Sequence, residues 1–95
     1  MKIKAVKLCA GNAYSIIPQE KCRLDLGKVA HILEEHGIET ENQGVMLIAH
    51  ILKTEVTIYT NGRLLVHPSF DKHMAESIAN MVFSLIDGKI REEND

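Results

Sequence analysis

TEVTIYTNGRLLVHP, residues 54–68, sets two apolar-rich, β-branched runs on either side of Asn61-Gly62. This pattern is a β-hairpin, and the length of its loop decides which side chains it hides. A two-residue loop of Asn61-Gly62 pairs Ile58 with Leu65 and Val56 with His67, which mixes apolar and polar groups on both faces. A three-residue loop, Thr60-Asn61-Gly62 with Gly62 left-handed, pairs Ile58 with Leu64 and Val56 with Val66 instead. Successive side chains of a strand point to opposite faces. The second register therefore gathers Val56, Ile58, Leu64 and Val66 for burial and turns Glu55, Thr57, Tyr59, Arg63, Leu65 and His67 the other way. It is the register expected.

Upstream, Val45 to Leu52 is a continuous β-rich run that suits a central strand. Ile38 to Gly44 is a polar connection with room for a short strand. Asp25 stands as an N-cap before Leu26, Val29, Ala30, Ile32 and Leu33, which share one helical face, and Gly37 stops that helix after about residue 36. Two strands precede it. Lys2 to Leu8 carries lysines at 2, 4 and 7, which suits an edge strand, and Ala13 to Ile17 is closed by Pro18, which has no N–H for a ladder. Downstream, Phe70, Met74, Ile78, Met81, Val82 and Leu85 are spaced as the apolar stripe of a helix running from Ser69 or Phe70 to Asp87. Its length, about 26 Å at 1.5 Å per residue, crosses a four- or five-stranded sheet. The fold class is α+β, an antiparallel sheet with both helices on one face and the other face open. Residues 1–90 form a single domain, and 91–95 a polar tail.

Composition narrows the functions. With 95 residues, 45% apolar and 25% charged, the chain is an ordinary globular domain. Its 11 Lys and Arg against 13 Asp and Glu leave a net charge of −2, with no general attraction for nucleic acid or anionic lipid. The longest apolar run falls far short of the roughly 18–20 residues of a membrane span. The N-terminal residues lack the apolar segment of a signal peptide, and Cys9 and Cys22 are expected as free thiols, so a cytoplasmic location is expected.

In their order, LCAGNAYSIIP, LDLGKVAHILEEHG and EVTIYTNGRLLVHP resemble the small C-terminal domain of ThiF/MoeB/HesA-family adenylyltransferases, the ubiquitin-activating-like enzymes that activate sulfur-carrier proteins. The likeness spans residues 8 to about 87. The order of elements is also similar to one half of the TATA-box-binding protein saddle. The sequence departs from the family pattern at His67-Pro68, where Gly-Thr is expected, and at Val82 to Ile86, where the family is aromatic-rich. The resemblance implies an accessory, non-enzymatic domain with a protein partner, an adenylyltransferase or a sulfur carrier, because the Gly-rich strand-to-helix turn of the catalytic domain is absent from this sequence.

Other chemistries have thinner support. His31 and His36 lie about 140° apart around a helix, too far to clamp one ion, so no metal or other cofactor is expected. Cys9, in a glycine-containing turn near Lys7, is the candidate reactive thiol, and its plain alternative is a small residue ending a strand. A saddle-type nucleic-acid module is the alternative binding function, but it needs basic flanks and apolar wedges that this chain lacks. The candidate binding surface is the open face: Thr57, Tyr59, Arg63, Leu65 and His67, residue types that recur where proteins recognise each other. A homodimer is expected. The lysines guard only the N-terminal strand, leaving the other edge, or the open faces, for two copies to meet.

Overall fold

The computed structural model describes residues 3–8, 12–20, 23–69 and 71–86. Six strands and two helices follow one another as β1 (Ile3–Lys7), β2 (Tyr14–Pro18), α1 (Leu26–Glu35), β3 (Glu39–Asn42), β4 (Met46–Ile51), β5 (Thr54–Tyr59), β6 (Leu64–His67) and α2 (Lys72–Ile86). The strands form one antiparallel sheet in the order β1-β2-β6-β5-β4-β3. It has six strands, one or two more than expected, because both the opening hairpin and the short polar β3 join it. The proposed tail, residues 91–95, and the end of the 1–90 domain lie outside the described residues.

The hairpin takes the three-residue loop. Val56 pairs with Val66 and Ile58 with Leu64, Tyr59 and Arg63 close the ladder, and Gly62 has φ 90°. All four paired side chains are fully buried. Each contributes about 1.5–3 kcal/mol by leaving water, so the register that buries them together prevails.

Asp25 caps α1 through Oδ1, which accepts from the N–H groups of Gly27 at 3.0 Å and Lys28 at 3.3 Å. Such a cap is worth about 1 kcal/mol. At the other end Gly37, at φ 81°, lets its own N–H reach Glu34 O while the N–H of Ile38 reaches Leu33 O, both at 3.0 Å. That pair of bonds satisfies carbonyls the helix leaves open. His36 Nδ1 donates to Ile32 O at 2.9 Å, so that its side chain takes up one of the last carbonyls of the helix.

Both helices cover one face and meet each other, α1 over β3 and β4 and α2 over β1 and β2. The core between them includes Ile16, Val29, Leu33, Leu47, Ile58, Leu64 and Val82. No described helix is long and apolar enough to cross a membrane.

Three expectations need correction. α2 buries Ala75, Ile78, Ala79, Val82, Phe83 and Ile86, while Met74 and Met81 stay 37% and 38% exposed. Ile78 and Val82 of the expected stripe are buried and Leu85 packs partly against the core, but the buried face is turned toward Ala75 and Ala79 and away from Met74 and Met81; Phe70, also in that stripe, lies outside the described residues. The helix begins after Asp71, whose Oδ1 accepts from the N–H of His73 at 2.8 Å and whose carbonyl accepts from Ala75. Next, β4 stops at Ile51. Leu52 is a turn residue, 80% exposed at φ 56°. Last, the far edge strand β3 is guarded after all, by Glu39 and Glu41 in place of lysines.

Two substitutions test these turns by urea denaturation. Gly62→Val should cost about 1–2 kcal/mol or more, since a β-branched residue resists positive φ, whereas Thr57→Val on the open face should change stability by less than about 0.5 kcal/mol. Leu52→Gly should raise stability by about 0.5–1 kcal/mol, because an exposed leucine there has strain and little packing to lose.

Candidate functional site

Alternation in every strand carries side chains to the uncovered face, and the pairing lines them up in rows across it. One row crosses all six strands: Val6 beside Ser15, then Leu65, Thr57, Ile48 and Glu41. A second holds Lys4 beside Ile17, with Arg63, Tyr59 and Met46 further along it. A third runs His67, Glu55, His50, Glu39. The middle of the face is apolar and half-buried, through Leu65, Thr57, Ile48, Met46 and Tyr59. Its outer strands carry opposite charge, Lys4 on β1 and Glu39 and Glu41 on β3, while Arg63 and Glu55 stand at the neighbouring central strands β6 and β5.

All five side chains expected to form the binding surface stand on this face. Thr57 and Leu65 are direct cross-strand neighbours, as are His67 and Glu55. Arg63 lies flat. Its Nε donates to Ser15 Oγ at 2.9 Å and its guanidinium carbon sits 5.4 Å from the centre of the Tyr59 ring. The stacking is worth about 0.5–1 kcal/mol at an exposed site. It also fixes the guanidinium over the sheet, leaving that side chain less freedom to lose in any contact it makes. No carboxylate pairs with Arg63 among the described residues.

Sequence reasoning missed Ser15, Ile48, Met46 and His50 on the same face. The signal was present in MLIAHI, where Met46, Ile48 and His50 alternate with the buried Leu47, Ala49 and Ile51. A run that is apolar on both faces hides its own alternation.

His50 stands among carboxylates. Its Nε2 donates to Glu41 Oε2 at 2.7 Å, with Glu39 and Glu55 as cross-strand neighbours. The hydrogen bond to Glu41 is the main reason its pKa is raised above 6.5; partial burial works against the rise, and the charges of Glu41, Glu55 and Glu39 add to it. His31 instead meets Glu35 on the exposed side of α1 at 3.3 Å.

Among the described residues, no group of three His, Cys, Asp or Glu side chains converges as a metal site. No hydroxyl there is hydrogen-bonded to a histidine: Ser15 holds Arg63, Thr40 donates to Glu34, and Thr54, Ser69 and Ser84 donate to backbone carbonyls. Cys9, the candidate thiol, lies outside the described residues. No family model, no curated protein and no solved structure matches the chain.

The His50 cluster has a pH signature. A folded-state pKa above the unfolded value means that the pairing stabilises the fold fully below about pH 6.5 and that this contribution is lost as pH rises through the raised pKa. In an NMR titration of the histidine rings, Glu41→Gln should move the His50 midpoint down. By urea denaturation, the same change should lower stability more at pH 6 than at pH 8.5. An unmoved midpoint would show that Glu41 is not its partner in solution.

Proposed function

We propose that the chain is a non-enzymatic binding module that docks another protein through the open face of its sheet, beside a sulfur-carrier activation system of the ThiF/MoeB kind. The observation that carries this reading is the face itself, a half-buried, largely apolar patch over the central strands β6, β5 and β4 with Arg63 held in place by Tyr59 and Ser15. Aromatic and arginine side chains of this kind dominate binding energy where proteins meet.

The accessory-domain resemblance supplies the partner class, an adenylyltransferase or a sulfur carrier. A half-saddle fold and a cytoplasmic location belong to the same reading. Its support is the order strand, helix, four strands, helix from β2 onward, with both helices on one face. A saddle that binds nucleic acid has less behind it. On the described open face three carboxylates, Glu39, Glu41 and Glu55, outnumber Lys4 and Arg63, and a phosphate backbone rewards the reverse.

Biolayer interferometry with a purified ThiF/MoeB-type adenylyltransferase, and separately with its sulfur carrier, tests the proposal. One of the two should bind. Replacing Tyr59 and Arg63 together by Ala should weaken that binding about tenfold or more, the scale of a loss of 1.4 kcal/mol, while Lys72→Ala on the helical side leaves it unchanged. Absence of binding to both proteins at about 100 μM would remove this partner class, and equal losses in the two variants would remove the face.

A further inference from the structure

We infer that the open face also receives a second copy of this chain, in a two-fold dimer that stacks sheet on sheet with its axis running along the strands between β5 and β6. The inference rests on the open face being a docking surface, as proposed above, and it names an occupant.

An open sheet can associate with its own kind by edge or by face. The edges are closed to a symmetric dimer. β1 carries Lys4 and Lys7 and β3 carries Glu39 and Glu41, so a two-fold pairing of like edges sets cation against cation or carboxylate against carboxylate. Pairing β1 of one copy with β3 of another matches the charges but runs head to tail and need not close.

Across the face, the same separation of charge becomes complementary. A two-fold axis parallel to the strands lays β5 over β6 of the second copy, β4 over β2, and β3 over β1. The six-strand row then meets its own reverse. Thr57 faces Leu65 of the second copy and Ile48 faces Ser15. In the next row Tyr59 faces Arg63, extending the stack each copy already makes, and Met46 faces Ile17. In the third row Glu55 faces His67. The acidic edge of each copy covers the basic edge of the other, bringing Lys4 to about one row, roughly 7 Å along the strand, from Glu41. Stacked sheets are commonly rotated by about 30°, which shifts the outer strands by about one row but leaves the contacts beside the axis in place. An axis across the strands would set Glu41 on Glu41. The charge pattern selects the axis.

Cross-linking reads this geometry directly. With Cys9 and Cys22 replaced by Ser, a single cysteine is introduced as Thr57→Cys or as Val6→Cys and treated with a short bismaleimide. The two Thr57 positions flank the axis, whereas the two Val6 positions stand about 24 Å apart, five strand spacings. The expected result is a covalent dimer from Thr57→Cys and none from Val6→Cys. Light scattering of the unmodified chain at about 100 μM should give twice the chain mass of 10.6 kDa. Lys4→Glu should weaken that dimer, and adding Glu41→Lys should restore it, a rescue that simple misfolding would not produce. Cross-linking through Val6 and not Thr57, a single-chain mass at every concentration, or a mass that climbs past two copies would each overturn the inference. Loss of the dimer with adenylyltransferase binding intact removes this inference alone. A Thr57-linked dimer with no foreign protein bound removes the function proposed above and leaves the dimer standing.

Discussion

Gly62, at φ 90°, closes the loop between the two strands at the middle of the sheet, and the registers on both sides are counted from there. On β5, Val56 and Ile58 align Ala49 and Leu47 of β4. On β6, Leu64 and Val66 align Ile16 and Tyr14 of β2. A slip of one residue at this loop would turn one strand of the hairpin over relative to the other, so that two of the four fully buried aliphatic groups would face water. Few small loops have such leverage over a core, because most lie at an edge.

The same loop helps to seat the first helix. Thr60 O accepts from the N–H of Leu24 at 2.8 Å, one residue before the Asp25 cap, and Leu24 itself is buried. The entry of α1 is thus tied to the end of β5 by a backbone bond and to the core by an apolar side chain. At the other end of the fold, the N–H of Ser69 donates to Asn12 O at 2.7 Å, linking the approach to α2 with the β1–β2 connection. Ser69, Thr54 and Ser15 are buried polar residues, and each finds a hydrogen-bond partner; no buried side-chain polar atom is left unmet among the described residues. Interior polarity is therefore no drain on stability.

Placing both helices on one side has a consequence for the other. The open face keeps an apolar centre because its strands must still pair and pack laterally, while lysine on one edge and glutamate on the other discourage each edge from recruiting its like. Charge that protects the edges is also what polarises the face. Between those edges, Arg63 is held by Tyr59 and Ser15 and His50 by Glu41. The recognition proposed for this face and its resistance to uncontrolled sheet growth would thus draw on the same few side chains.

The hairpin register, the first helix with its Asp25 cap and Gly37 stop, and the gathering of Thr57, Tyr59, Arg63, Leu65 and His67 on one face are determined by the sequence alone. Alternation, capping and loop closure act between residues close in the chain, so their spacing is enough to read them. The orientation of α2 is different. Its apolar residues cover so much of the helix that more than one stripe is self-consistent, and only contact with the sheet selects the one containing Ala75 and Ala79. Glu41 and Glu39 reach His50 because α1 carries the chain across the whole sheet to its far edge. Arg63 finds Ser15 across 48 residues of sequence. Such neighbours are chosen by the packing of elements in space, which no local period encodes, and the charge polarity of the open face is therefore a property of the tertiary structure.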